Sequence, residues 1–220
     1  MFLVVKDVLS SDEVKQLTQI ASELHFVDGR VSNPHNETKK NLQVDITQPE
    51  ANRAAQIAGA AITRNEEIRN FVFWKPIATP LLCKYEVGMT YGVHADSAYL
   101  PLPGTPLRSD ISGTLWLADP NSYEGGELRI HLGSESVTIK GEAGSMVVYP
   151  STMLHEVMPV RSGQRLVMIT FIESQVPDQT QRELLWTLNE VNALEGFNIS
   201  SENRTKLNFL SSSLHRMWSS

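Results

Sequence analysis

The chain has 220 residues, of which 41% are apolar and 20% are charged, a composition typical of a globular protein with a sizeable core. Its 25 acidic and 19 basic residues leave a net charge of −6, which argues against a nucleic-acid-binding protein. The single cysteine, Cys83, excludes an internal disulfide and favours a reducing compartment. The sequence shows no signal-peptide pattern and no apolar run of membrane-spanning length, so we expect a cytoplasmic protein without a membrane partner.

The N-terminal part of the chain predicts two helices. A short strand over residues 2–5 precedes Ser10 and Glu13, which stand at the spacing of a capping box and open the first helix. Thr47 and Pro49 open the second helix in the same way, with proline at an early position. The second helix continues through an alanine-rich segment, which allows close packing against a sheet.

Further along the chain, the pattern changes to short β-branched and aromatic runs separated by turn residues. A polar loop over residues 28–40 and a candidate strand over 41–46 come first. The remaining predicted strands cover residues 81–85, 91–94, 111–117, 128–132, 136–139, 145–149, 154–160 and 165–172. Short strands with tight turns favour a sandwich or jelly roll over a doubly wound sheet. The longest interruption, residues 97–110, carries three prolines and a glycine and is a candidate lid.

After residue 177 the pattern returns to helix. Two apolar stripes mark the predicted helices: Leu184, Leu188, Val191 and Leu194 in the first, and Leu207, Leu210, Leu214 and Met217 in the second. The predicted fold class is therefore α+β: a double-stranded β-helix (jelly-roll) core with N-terminal helices packed on the sheet and a C-terminal helical extension. We divide the chain into a jelly-roll domain, residues 1–176, and the extension, residues 177–220, which is a candidate homodimer surface.

Two segments carry candidate metal ligands. Alternate side chains of a strand share a face, so His94 and Asp96 are expected to project together. His155 lies between Met153 and Val157 on an apolar face, where a buried imidazole needs a partner. Two histidines and one carboxylate on one side of an ion form the facial triad of non-haem Fe(II) oxygenases, which leaves the other coordination positions open.

A single arginine suggests an anion-binding position near this metal site. Arg165 follows His155 by ten residues and begins an apolar strand. A guanidinium in such surroundings costs desolvation energy unless it meets an anion, and its planar fork fits a carboxylate bidentately. In a barrel that also holds a metal, the anion is a candidate diacid cosubstrate.

These segments together resemble the Fe(II)- and 2-oxoglutarate-dependent dioxygenases of the prolyl-4-hydroxylase-like superfamily, and more closely its PKHD-type hydroxylase branch. The resemblance runs nearly the whole length of the chain. It rests on the segments 85–96, 108–117, 123–128 and 144–155, on Arg165, and on 181–186 in the tail. One departure is Ser97, where the family often has asparagine after the metal-binding aspartate.

The resemblance implies specific roles. His94, Asp96 and His155 would bind Fe(II) and carry the catalysis, Arg165 would hold the distal carboxylate of 2-oxoglutarate, and Tyr85 would help from the neighbouring strand. It also implies O2 as cosubstrate and ascorbate as a candidate reductant. The implied activity is hydroxylation of an unactivated C–H bond, in a prolyl or other peptidyl residue or in a metabolite, with release of succinate and CO2.

The residues themselves leave two other functions open. One is a jelly-roll sensor or binding module, in which metal and diacid regulate a contact without turnover. The other is a cupin-like isomerase or hydrolase that uses zinc or manganese, although such chemistry has no need of the anion anchor at Arg165. Tyr85 also fits simple core packing, and Arg108 fits either a substrate contact from the loop or a solvated loop residue.

Overall fold

The computed structural model describes residues 1–102 and 104–220; Pro103, in the candidate lid, lies outside the described residues. The helices are α1 (Ser11–Glu23), α2 (Pro49–Arg64), α3 (Glu66–Val72), α4 (Gln179–Glu195) and α5 (Ser201–Trp218), and a 3-10 turn covers Gly29–Ser32. The strands are β1 (Leu3–Val5), β2 (Phe26–Asp28), β3 (Lys39–Lys40), β4 (Leu42–Val44), β5 (Trp74–Ile77), β6 (Leu81–Tyr85), β7 (Thr90–His94), β8 (Tyr99–Leu100), β9 (Leu107–Arg108), β10 (Ile111–Trp116), β11 (Glu124–Gly125), β12 (Leu128–Leu132), β13 (Glu135–Ile139), β14 (Met146–Pro150), β15 (His155–Val157), β16 (Val160–Ser162) and β17 (Arg165–Ser174).

Two sheets form the jelly-roll core. The major sheet has the order β1-β14-β10-β17-β6-β4-β2, with β5 also paired to β17, and the minor sheet has the order β13-β12-β15-β7-β3. Every strand pair that the structure describes is antiparallel. Side chains from both sheets share one interior cluster. The predicted jelly-roll core is confirmed.

Alternation along the strands of the major sheet supplies two separate apolar layers. In β14, Val147 and Tyr149 face the barrel interior, whereas Met146 and Val148 face the other side, where α1 and α2 pack. Since both faces of the strand are covered, its residues are almost all apolar. Burial of each such side chain contributes about 1.5–3 kcal/mol.

The first helix begins as predicted, and the second has Pro49 at its first position as predicted but a different cap residue. Ser10 and Glu13 form the capping box: the Glu13 carboxylate accepts from the Ser10 backbone N–H at 2.8 Å, and the Ser10 hydroxyl accepts from Glu13 N–H at 3.3 Å. The prediction that Thr47 caps α2 is wrong, because its hydroxyl donates to Asp45 at 2.7 Å. Gln48 occupies the N-cap position, but its side chain bonds to His25 and Asp45 and makes no capping hydrogen bond to the helix.

The apolar stripe predicted for α4 does not face the core. Leu184 is 56% exposed and Leu194 is 70% exposed, whereas the adjacent Leu185 is fully buried against Phe73 and Val176. The contact with the end of α3 therefore decides which side of α4 is buried. Among the described residues, we find no helix with the length and apolar character needed to cross a membrane.

Two other segments differ from the predictions. Residues 28–40 were expected to be a polar loop, but they contain the 3-10 turn and β3, which pairs with β7. The run 154–160 was expected to be one strand, but it divides into β15 and β16 at Met158 and Pro159. Proline cannot donate a backbone hydrogen bond, so a strand in a sheet ends there.

Candidate active site

The pairing of β7 with β15 brings the two predicted histidine ligands together. His94 lies directly opposite His155 in register, and opposite residues of an antiparallel pair project on the same face. Their ring centroids are 4.2 Å apart. Asp96 lies two residues past the end of β7, where its backbone N–H donates to the carbonyl of Ser151 at 3.2 Å.

The three side chains converge on one point. Asp96 Oδ1 lies 3.8 Å from His94 Nε2, and Asp96 Oδ2 lies 3.6 Å from His155 Nε2. One ligand atom from each residue lies within 4.8 Å of the other two. A single ion with ligands at about 2.1 Å fits between atoms at such separations.

Both imidazoles present the nitrogen that a metal needs. His94 Nδ1 donates to the Gly92 carbonyl at 2.7 Å, and His155 Nδ1 donates to the Met153 carbonyl at 3.0 Å. A carbonyl oxygen only accepts, so Nδ1 carries the proton and Nε2 keeps its lone pair for the cluster. Burial and the neighbouring His155 lower the pKa of His94 to about 4, which keeps its ring neutral at pH 7. This donor set suits Fe(II).

A chain of three hydrogen-bonded serine hydroxyl groups supports the Asp96 carboxylate. The Ser112 hydroxyl donates to Asp96 Oδ2 at 2.5 Å. Because that uses its one proton, the Ser151 hydroxyl donates to Ser112 across 2.8 Å, and the Ser109 hydroxyl donates to Ser151 across 2.9 Å. All three serines are buried. Hydrogen-bond partners of this kind fix the orientation of a metal-binding carboxylate.

We therefore expect Ser112→Ala to weaken metal binding or activity by about 10- to 100-fold, because the Asp96 carboxylate loses the donor that orients it. The measurement is a titration of Fe(II) into the apoprotein, followed by the rate of succinate formation. Ser136→Ala, on an exposed position of β13, is the matched control and should leave both unchanged. An unaltered Fe(II) titration in Ser112→Ala would show that Ser112 does not orient this carboxylate.

Arg165 and Tyr85 lie together at the inner end of the same cavity. Arg165 is 1% exposed, and in the described part of the chain its Nε has no hydrogen-bond partner. Its guanidinium carbon lies 4.8 Å from the ring centroid of Tyr85, which is its register partner on β6. Both residues line the cavity that contains the three predicted ligands. A buried guanidinium without a protein anion fits the carboxylate of a diacid.

Two other residues discussed in the sequence analysis, Arg108 and Cys83, have structural roles. The Arg108 Nε donates to Asp110 at 2.9 Å and its Nη2 to the Ser174 carbonyl at 3.0 Å, so it attaches the end of β9 to β17 rather than extending into solvent. Cys83 is fully buried, and burial raises the pKa of its thiol to about 11. It is an uncharged core residue.

A groove opens beside the predicted ligands, with a volume of about 470 Å³. Its walls come from α2, from the β8–β9 hairpin inside the candidate lid, and from β17. They include Ile46, Ala55, Leu100, Leu102 and Phe171. Asp96 and Lys39 line both the groove and the cavity that holds Arg165, so the two spaces meet there.

Sequence reasoning missed Lys39, which it left in a polar loop. The side chain is only 6% exposed and lines the cavity with the three predicted ligands. A signal was present: Lys39, Asn41 and Gln43 alternate along the segment, and all three are buried. The candidate strand over 41–46 includes Asn41 and Gln43 but begins after Lys39, so the lysine was left in the loop.

The comparisons with known proteins identify the family. Residues 80–173 match the family model of the 2OG-Fe(II) oxygenase superfamily. A PKHD-type hydroxylase from Sphingopyxis alaskensis is 45% identical over 219 residues, which cover 99% of both chains. This chain belongs to the PKHD-type hydroxylases. A further PKHD-type hydroxylase, from Hyphomonas neptunium, is 33% identical over 221 residues and again covers 99% of both chains.

As a PKHD-type hydroxylase, the protein is an oxidoreductase of the 2-oxoglutarate-dependent class, whose cofactor is Fe(II) and whose cosubstrates are 2-oxoglutarate and O2. Solved structures share its fold at low identity. A prolyl-4-hydroxylase from Pseudomonas putida has a TM-score of 0.53 at 19% identity, with 79% of this chain and 92% of that one covered. A prolyl hydroxylase from Trichoplax adhaerens, in complex with a hypoxia inducible factor peptide fragment, has a TM-score of 0.57 at 16% identity, with 83% and 86% covered.

Proposed function

We propose that this PKHD-type hydroxylase hydroxylates an unactivated C–H bond of a prolyl or another peptidyl residue. One atom of O2 enters the new hydroxyl group and the other enters succinate, while 2-oxoglutarate loses CO2. The observation that carries the proposal is the convergence of His94, Asp96 and His155 in one cavity with the unpaired Arg165. Two further observations support a peptide substrate: the groove of about 470 Å³ beside Asp96, and a solved prolyl hydroxylase of similar fold that holds a peptide.

Each residue of the cavity has a defined part in this reaction. His94 and His155 would hold Fe(II) through Nε2, and Asp96 through a carboxylate oxygen. Bound iron, with O2 and 2-oxoglutarate, supplies the oxidant that removes hydrogen from the substrate and returns hydroxyl. Arg165 would bind the distal carboxylate of 2-oxoglutarate, and the ring of Tyr85 would hold Arg165 in place.

The segment 97–110 is proposed to act as a lid over the groove. Its β8–β9 hairpin contributes Leu100 and Leu102 to one wall, and Arg108 attaches the end of the hairpin to β17. A hairpin held at one end can close over a bound substrate.

We further propose a location, the absence of a nucleic-acid partner, a reductant and an oligomeric state for this protein. The single cysteine supports a cytoplasmic location, and the net charge of −6 supports the absence of a nucleic-acid partner. The resemblance to prolyl hydroxylases supports ascorbate as reductant. The exposed Leu184 and Leu194 of α4 support a homodimer through the extension 177–220, which sedimentation at several concentrations would test.

Anaerobic addition of Fe(II) and 2-oxoglutarate to the purified apoprotein tests the proposal. We expect a visible charge-transfer band that neither component produces without the other. Admission of O2 should then release labelled CO2 from 2-oxoglutarate. A band without CO2 release would instead support the sensor function, and a protein that forms no band would contradict the proposed iron and cosubstrate site.

A further inference from the structure

Lys39 is a buried cation at the boundary of the cavity and the groove. It lies on β3, the edge strand beside β7, in register with Tyr91. The next residue, Lys40, points the other way and is exposed. Because β3 pairs with the strand that ends at His94, the pairing brings the Lys39 side chain close to the predicted ligands.

The Lys39 ammonium has few partners for a group so deeply buried. It donates to the Ser32 hydroxyl at 2.6 Å and lies 5.6 Å from the ring centroid of Tyr91. Among the described residues, no carboxylate lies within 4.0 Å of its Nζ. Asp96 and Asp28 attract it only through space, and burial outweighs them and lowers the pKa of Lys39. An ammonium has three protons to donate, and buried cations are normally paired with an anion.

Arg165 and Lys39, the buried cations that line this cavity, occupy different positions in it, so we assign different ligands to them. Arg165 lines the cavity but not the groove, and the proposed function already places the distal carboxylate of 2-oxoglutarate there. Lys39 lines both spaces, so a molecule that lies in the groove and extends to Asp96 meets Lys39 on the way.

We propose that Lys39 binds a carboxylate of the substrate, so that the enzyme selects peptides that carry a carboxylate close to the residue it hydroxylates. The inference rests on the proposed function and names the substrate class of that site. The carboxylate is either an acidic side chain or the C-terminal group. The apolar walls formed by Ile46, Leu100 and Leu102 suit the neighbouring apolar part of such a peptide.

Matched peptide pools test this selection. The first pool consists of N-acetylated, C-terminally amidated hexapeptides with one fixed Asp or Glu. The second pool has Asn or Gln in place of that residue. The third pool is the second pool with a free C-terminal carboxylate. All other positions are randomised among uncharged residues. We expect the first or third pool to stimulate succinate release about tenfold more than the second, and whichever pool is active identifies the source of the carboxylate.

Substitution of the lysine separates a charge contact from a structural role. Lys39→Met is expected to remove the preference for carboxylate over amide, with a loss of about tenfold for the active carboxylate pool and less than about threefold for the amide pool. Lys39→Arg should restore part of the preference, because it restores the charge. Lys40→Met is the matched control on the exposed face of the same strand and should retain the full preference. Binding of one active peptide to the Zn(II)-loaded protein, measured by calorimetry, gives the same comparison without turnover.

Three outcomes would overturn the inference while leaving the proposed function in place. The first is a charge-transfer band with equal stimulation by the acidic and amide pools. The second is a preference that survives in Lys39→Met. The third is a shift in the 2-oxoglutarate titration of the band in Lys39→Met, which would assign Lys39 to the cosubstrate. A protein that forms no band, or one that forms the band but is stimulated by no pool, contradicts the proposed function itself.

Discussion

Asp96→Ala is expected to reduce succinate formation to less than about one thousandth of the wild-type rate, a loss of roughly 4 kcal/mol or more in transition-state stabilisation. Asp96 supplies the one carboxylate of the three-residue cluster found among the described residues. Without it, only the two imidazoles of the cluster remain, and a doubly charged ion bound there would have no carboxylate ligand from the cluster. The measurement is substrate-dependent succinate formation, with Fe(II) binding followed in parallel.

Two further variants make this result specific to the ligand. Asp96→Asn keeps a hydrogen-bond acceptor for Ser112 but loses the charge, so it should lose nearly as much activity as Asp96→Ala. Asp12→Ala removes a carboxylate that is 95% exposed at the start of α1 and should have full activity. Undiminished turnover in Asp96→Ala, or a loss matched by Asp12→Ala, would contradict the assignment of Asp96 to the metal.

Much of the fold could be predicted because alternation along a strand is a local property. In β14 a short apolar run identifies the strand, and alternation then places Val147 and Tyr149 on one side and Met146 on the other. The convergence of His94 with His155 is different. Each histidine is recognisable within its own segment, but the register that places them opposite each other involves two strands far apart in the chain. Only the family resemblance predicted that they meet.

Three of the features that were missed depend on contacts between segments far apart in the chain. Lys39 is buried because β3 pairs with β7, and nothing in the polar segment around it predicts that contact. The hydroxyl chain from Ser109 to Ser112 passes through Ser151, the residue that follows the adjacent strand β14, so it exists only once β10 and β14 are in register. In α4, spacing identified an apolar stripe, but Leu185 outside that stripe is the residue that meets the core.

Arg165→Met is expected to raise the dissociation constant for 2-oxoglutarate about 30- to 4,000-fold, because truncating a buried charged partner costs roughly 2–5 kcal/mol. Methionine fills a similar volume, so the cavity wall is retained. Fe(II) binding should change much less, since Arg165 is not one of the three clustered ligands. Titration of 2-oxoglutarate into the anaerobic Fe(II) protein, followed through the charge-transfer band, measures the dissociation constant for 2-oxoglutarate and shows whether Fe(II) is still bound.

The same substitution should stabilise the protein when 2-oxoglutarate is absent. Burying one ion without a charged partner costs several kcal/mol, whereas the contact between the Arg165 guanidinium and the Tyr85 ring contributes about 2 kcal/mol. Removing the guanidinium should therefore raise the free energy of unfolding by about 1 kcal/mol or more. Arg108→Met is the matched control, because Arg108 is paired with Asp110. It should lower the free energy of unfolding and leave 2-oxoglutarate binding unchanged. If Arg165→Met destabilises the protein as Arg108→Met does, the Arg165 guanidinium serves the fold rather than the cosubstrate.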